Sequence, residues 1–493
     1  MRLVAVQLVL FLLMFAGSAR SQPLADRAGA LEPIRYTLRF PDPASHHLDV
    51  EAVFPTGGAA DITLKMAVWT PYVIREYAQN IETLTTPLGA EKVRKNRWRV
   101  RTGGQPTVTV RYRLFAHSMN VQDAYVDNEF ALLNGQPVYL TLAAGPDRPH
   151  EVRLEVPPTW KDVVTTLPEV GPRHYRAASY EGLMDAPIVA GNAKMYSFDV
   201  DGIQHALVNI GGDRTQWDGP QSTADLARIV RAQRDISGFF PYKRYLFLNV
   251  LSGKGGGMEH QECTMMMTSP DATRRRETYV RWMGLASHEL FHAWNVKRLR
   301  PREITPGEYE EEQYTRSLGI AEGFTSYYGT LSLRRAGVIS EAEYFDQLSR
   351  LVEGLQRSEG RRVQSLADSS FDTWIKFYKP NENSPRTTVS YYTKGAVVAF
   401  VLDARIQAAS GGTRTLDSVM SEMLRRYPRE RGYTLDDFAE VAGVDIKPYF
   451  FSTDELDYKE AAAWFGLKIS PSGKVEPQGR NAHRDEWLSG KRE

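Results

Sequence analysis

His288-Glu289-Leu290-Phe291-His292 sets two histidines four residues apart with a glutamate beside the first. On a helix, residues four apart lie on one face, so His288 and His292 can reach one metal ion. Glu289, one step round, is placed to take a proton from a water on that metal. Two imidazoles, an acidified water and a carboxylate base are the working parts of a zinc hydrolase. The competing reading is a pair of helix-face histidines in a core or an ion-pair network. With only 10 histidines in 493 residues, the spacing favours the metal.

The surroundings read as helix. Between Glu277 and Val296 the only Gly or Pro is Gly284, and Val280, Met283, Leu285 and Phe291 supply apolar positions. Lys297, Arg298 and Arg300 follow, where cations suit the negative end of a helix, and Pro301 stops it. These bases read as a solvated helix end, not as a nucleic-acid surface.

A catalytic zinc keeps three protein ligands and one open position. Downstream lies Gly319-Ile320-Ala321-Glu322-Gly323-Phe324-Thr325, with 29 residues between His292 and Glu322. That separation allows a second helix to return antiparallel and present a carboxylate. Leu318, Ala321, Tyr328 and Leu331 carry helical spacing through Ser317 to Arg335, and Gly337 can cap the end. Glu322 sits among Ile320, Ala321 and Phe324, a setting in which a charge wants a metal or a partner. It is the candidate third ligand, with Glu308 to Glu312 next in line.

Four segments together resemble the glycyl aminopeptidase family of gluzincin zinc metallopeptidases: Gly255-Gly256-Gly257-Met258-Glu259-His260, His288 through Pro301, Ala321 through Thr325, and Tyr391-Tyr392-Thr393-Lys394-Gly395. Ser365 to Pro385 is similar to family sequence as well. The resemblance implies zinc held by His288, His292 and Glu322, with Glu289 as base and proton shuttle. It implies that Glu259 binds the free α-amino group of a peptide beside Gly256 and Gly257, and that Tyr392, or the adjacent Tyr391, stabilises the oxyanion. A fixed carboxylate beside the metal would select a cationic amine, and glycines let the backbone approach an extended substrate. The implied activity is removal of the N-terminal residue from peptides, with small residues such as Gly or Ala favoured. The rivals are a zinc endopeptidase whose Glu259 does other work, and a catalytically idle zinc-holding module that binds peptides. Glu289 speaks against idleness, since metal binding alone does not need it.

Two departures from the family pattern stand out. Many members carry a PDZ domain after the catalytic region, whereas only about 40 residues follow the last helical segment here, against roughly 90 for such a domain. Gly319 stands where a bulky aromatic is expected three residues before the ligand glutamate, and is expected to widen or reshape the wall near the metal.

Met1-Arg2, an apolar run from Leu3 to Gly17 and the small residues after it describe a signal peptide over residues 1–21. The run is short for a bilayer span and no other segment could make one, so stable membrane insertion is not expected. Cys263 is the single cysteine, expected as a small packing residue. An exported chain without a disulfide suggests the bacterial periplasm or medium. Lys and Arg number 61 against 60 Asp and Glu, a balance that argues against a nucleic-acid partner. Peptides with a free N-terminus are the expected partners, and the oligomeric state is not legible.

The fold class expected is α+β: an N-terminal β-sandwich-like domain, then a mainly helical thermolysin-like zinc peptidase domain. Residues 31–205 read as β, since Arg35 to Phe40, Trp98 to Arg101 and Thr107 to Tyr112 alternate, with turns at Pro41-Asp42-Pro43 and Thr56-Gly57-Gly58 between. Residues 206–460 read as catalytic, with Phe247 to Leu251 a strand leading into the glycines, Met265 to Met267 buried strand, and helices over Lys394–Ala409, Leu416–Tyr427 and from Thr434. Residues 461–493 read as a polar tail, mobile from Ser470 onward.

Overall fold

Period-two alternation builds the first half of the chain. In Ile34–Arg39 the buried residues are Ile34, Tyr36 and Leu38; in Thr107–Phe115 they are Val108, Val110, Tyr112 and Leu114. These strands belong to a seven-stranded sheet in which Ile34–Arg39 lies between His47–Pro55, antiparallel, and His150–Glu155, parallel. A four-stranded sheet containing Asp61–Lys65 and Arg97–Arg101 contributes Leu64 and Trp98 to the same core, which gives the sandwich-like layering. The outward positions carry cross-strand ion pairs such as Arg113–Asp49 at 2.7 Å, a polar outer face for an apolar inner one. The computed structural model describes residues 31–212 and 214–490; the expected leader, 1–21, lies outside them.

A five-stranded sheet opens the second half, in the order Lys194–Val200, Ile203–Ile210, Arg244–Leu251, Cys263–Thr268, Gly256–Glu259. It therefore begins ahead of the boundary expected at 205, because alternation marks a strand but not the sheet that it joins. Cys263 and Met265 to Met267 are buried within it. Gly256–Glu259 is its edge strand, antiparallel to Cys263–Thr268. Helices then dominate, among them Gly219–Ser237, Arg276–Phe291, Thr325–Arg335, Glu341–Arg357, Tyr391–Ala409 and Leu416–Arg426. The helix Leu435–Ala442 opens with the expected capping box, Thr434 with Asp437. No helix among the described residues is long and apolar enough to cross a membrane.

The expectation of a mobile tail is overturned. Lys459–Trp464, a hairpin of Leu467–Ile469 with Val475–Pro477, and Ala482–Ser489 are all formed. Trp487 and Leu488 are buried, and the Trp487 indole donates to the Tyr327 hydroxyl at 2.7 Å. Two apolar residues in a polar stretch are too few to stand out by pattern, yet they are the ones that seat it.

Candidate active site

The helix Arg276–Phe291 carries the first histidine inside its last turn and ends at His292, earlier than the expected Val296. Val296 sits at φ +110°, and Lys297 N–H returns to the His292 carbonyl at 3.0 Å. The bases that follow are not a solvated helix end. Lys297 is largely buried and pairs with Asp185 at 2.9 Å, Arg298 donates to the Pro241 carbonyl, and Arg300 donates to the Arg429 carbonyl at 2.7 Å. Buried cations persist here because each has a fixed acceptor.

The tight exit sets the second imidazole. His292 Nδ1 donates to the Asn295 carbonyl at 2.9 Å, which leaves Nε2 free to act as a ligand. The Asn295 amide donates to the carbonyls of Ile320 and Ala321 and to the Thr325 hydroxyl. One side chain thus ties the end of the histidine helix to the segment that holds Glu322. That segment, Gly319–Phe324, is a wide turn of π-helix running into the helix Thr325–Arg335, a local widening that recurs at functional sites. Ser326, one turn on, donates to the Glu322 carbonyl at 3.0 Å and lies 3.3 Å from His288 Nδ1.

The three expected metal donors converge. The Nε2 atoms of His288 and His292 are 3.1 Å apart, and Glu322 Oε2 lies 3.5 and 3.3 Å from them. A tetrahedral ion with ligands at about 2.0–2.1 Å spaces its donors about 3.3 Å apart, so the set fits zinc. Among the described residues Glu259, Glu289 and His292 form a second close group, but two carboxylates and one imidazole suit zinc less well. Burial works to raise the Glu322 carboxyl; the two imidazoles outweigh it and pull it down to about 2. Glu308 to Glu312 are not needed: Glu310 is held by Arg97 at 2.7 Å, with Lys65 at 3.2 Å.

Glu289 is buried, and loss of solvation, aided by the Glu259 charge, pushes its carboxyl up to about 8. Gly257 packs directly on it: a Cβ there would lie 2.1 Å from Glu289 Oε1, so only glycine fits. Gly256, at φ +134°, precedes it on the edge strand, whose unpaired side can accept an extended chain. Glu259 ends the strand, buried, with Oε1 bonded to no protein atom.

Tyr392 lines the same cavity, which has a volume of about 500 Å³, with its ring 6.1 Å from that of His288. Tyr391 is turned into the core, where its oxygen accepts from the Thr373 hydroxyl at 3.1 Å. Gly319 is not part of the wall. A Cβ on it would meet Leu366 at 2.8 Å, and a Cβ on Gly395 would lie 2.7 Å from the Gly319 carbonyl oxygen, so the missing side chain lets the tyrosine helix cross close to the Glu322 segment. Sequence reasoning gave no role to Tyr378, whose hydroxyl is 3.4 Å from that of Tyr392, or to Tyr72, which comes from the β domain. Tyr378 lies inside the family-like stretch Ser365 to Pro385, the one signal that could have found it.

Residues 281–398 match the M61 glycyl aminopeptidase family and residues 35–192 match its N-terminal domain. The crystal structure of an aminopeptidase N family protein from Idiomarina loihiensis is similar at 30% identity and TM-score 0.84, covering 89% of this chain and 79% of that one. The chain belongs to the M61 glycyl aminopeptidase family. This member is therefore a peptidase with the metallo-aminopeptidase fold. An M1 zinc metallopeptidase from Deinococcus radiodurans shares that fold more distantly, at 13% identity and TM-score 0.54, over 87% of this chain and 95% of that one. A mutant of the Deinococcus enzyme bound to a Tyr-Ser-Ala substrate is similar to the same extent, at 12% identity and TM-score 0.54. No curated protein sequence matches the chain.

Proposed function

We propose that this enzyme is a zinc-dependent aminopeptidase that removes the N-terminal residue from peptides and favours small first residues such as Gly or Ala. The observation that carries the reading is one cavity holding three donors spaced for tetrahedral zinc, a buried carboxylate base and a second buried carboxylate whose Oε1 is bonded to no protein atom. When bound, zinc supplies Lewis acidity to the scissile carbonyl and to the attacking water. Glu259 takes the substrate ammonium, a cation that must leave water and so needs a fixed counter-charge. The edge strand at Gly256 and Gly257 lies along an extended backbone. Glu289 receives the proton of the attacking water and passes it to the departing amine, a transfer helped by a carboxyl whose affinity for protons is raised toward neutrality. The Tyr392 hydroxyl donates to the oxygen on which charge develops. An endopeptidase, whose substrate has no free amine to place there, would gain nothing from the open Glu259 carboxylate oxygen beside the donors. The leader read at residues 1–21 supports action in the periplasm or medium.

Chelation should abolish the release of the first residue, seen by mass spectrometry, and zinc should restore it. Glu289→Gln should keep stoichiometric zinc and lose turnover on the order of 10²-fold or more. A zinc-replete Glu289→Gln protein with a near-normal rate would reject this reading.

A further inference from the structure

We propose that Tyr72 sets the size limit on the first side chain of the substrate, by closing off a chamber with unpartnered buried polar groups that lies behind Glu259. The proposal rests on the reading of Glu259 as the amine anchor. Trp69–Thr70 and Val73–Ile74 form a short antiparallel hairpin with Pro71 and Tyr72 between them. Tyr72 stands at φ +62°, a left-handed backbone that bulky residues rarely adopt and glycine adopts freely. The phenol is kept there against the backbone's preference, at the point where the β domain reaches the metal cavity. Its ring is buried and meets Trp374 edge-on at 6.3 Å, and Trp374 in turn meets Trp69 edge-on at 5.2 Å.

Tyr72 and Glu259 border two cavities at once: the metal cavity and a smaller chamber of about 80 Å³. The chamber has a mostly apolar lining that carries buried polar groups without partners. Trp69 Nε1, Gln136 Oε1, His260 Nε2 and Arg300 Nε border it, all on side chains more than nine-tenths buried and none bonded to protein. Of its charged groups, Lys297 is paired with Asp185 and Arg429 with Glu181, while Arg300 and Glu308 border it with opposite charges and no ion pair among the described residues. With the substrate amine on Glu259, a side chain there meets free donors and acceptors and fixed charges that balance in sign. That is a subsite for an uncharged polar side chain of glutamine length, with Tyr72 as its door. A first residue anchored by its amine on Glu259 has its Cα at that door. With the ring in place only a side chain as small as that of Gly or Ala is accommodated.

The test is kcat/KM for free-amine substrates that differ only in the first residue (Gly, Ala, Gln, Leu and Lys), measured on the zinc-loaded enzyme, Tyr72→Phe and Tyr72→Gly. Glycine suits the left-handed backbone, and Tyr72→Asn, which tolerates it too, repeats the test should the first variant fold poorly. The unmutated enzyme and Tyr72→Phe should favour Gly and Ala over Gln. Tyr72→Gly should raise the Gln-to-Gly ratio by about tenfold or more, and raise the Leu and Lys ratios less. An unchanged ratio in folded, zinc-replete Tyr72→Gly and Tyr72→Asn would overturn the proposal, as would a larger gain for Leu than for Gln. N-acetylated Gly substrate separates the two readings. If the unmutated enzyme cleaves it as fast as free Gly substrate, the amine anchor fails, whatever the ratios show.

Discussion

At the scale of single residues, the two adjacent tyrosines divide sharply. Tyr392 faces the metal donors and Tyr391 faces the core, which is why the oxyanion role proposed for the Tyr-Tyr-Thr-Lys-Gly pattern is given to Tyr392. Tyr392→Phe should lower kcat by roughly 10²-fold, the usual cost of one oxyanion donor, with KM little changed. Tyr391→Phe should keep the rate and lose only stability. Steady-state kinetics on both checks this, and a slow Tyr391→Phe beside a normal Tyr392→Phe would reverse the assignment. His288, Glu289, His292 and Glu322 were legible because their spacing is itself the chemistry: four residues on a helix is one face, and a lone carboxylate in an apolar turn needs a partner. Tyr72 was not legible, because nothing in its neighbours announces a left-handed backbone or a contact with another domain. The bases at Lys297, Arg298 and Arg300 misled for a related reason. Their charge suits an exposed helix end, while the acceptors that bury them lie 112, 57 and 129 residues away in sequence.

At the scale of elements, the helix Tyr391–Ala409 runs through the core and carries Lys394 near its positive end, buried and aimed only at the Ser452 carbonyl at 3.4 Å. Burial pulls the Lys394 amine from 10.5 down to about 8. The sign follows from proton counting. Between about pH 8 and 10.5 the unfolded chain holds a proton on Lys394 that the folded chain has released, so stability rises with pH across that window. Below about pH 8 the full cost of burying the charge is present. Lys394→Met should therefore be more stable than the unmutated protein at pH 7 by roughly 1–3 kcal/mol, and the difference should shrink toward pH 10. Thermal melts of both proteins over pH 7–10 measure it; a difference independent of pH would show that Lys394 folds with its proton on. The helices and strands read from apolar period and capping, such as Lys394–Ala409, Leu416–Tyr427 and Thr107–Tyr112, formed within a few residues of their expected bounds. The π-turn at Gly319–Phe324 was not, since it is held by the Asn295 bridge and the close crossing with Gly395 rather than by its own sequence.

At the scale of the whole molecule, both ends of the chain serve the centre. The β domain lends Tyr72 to the cavity, and the last turns seat Trp487 against Phe465, stacked at 4.2 Å, and against Tyr327. Trp487→Ala should destabilise the helical half by roughly 3–5 kcal/mol, the cost of emptying a large buried side chain, read as an earlier melting transition with activity kept at low temperature; an unshifted transition would mean that the C-terminal elements do not brace the core. The central claim concerns Glu259, where fold, cavity and chemistry meet. Its most direct test is kcat/KM for one peptide with its amine free and acetylated, on the unmutated enzyme and on Glu259→Ala at equal zinc content. The account predicts that acetylation makes the peptide a poor substrate for both, and that Glu259→Ala loses about 30- to 1000-fold on the free peptide, or roughly 2–4 kcal/mol of transition-state binding, so that the gap between free and blocked peptides narrows. Equal cleavage of the two peptides by the unmutated enzyme would contradict it.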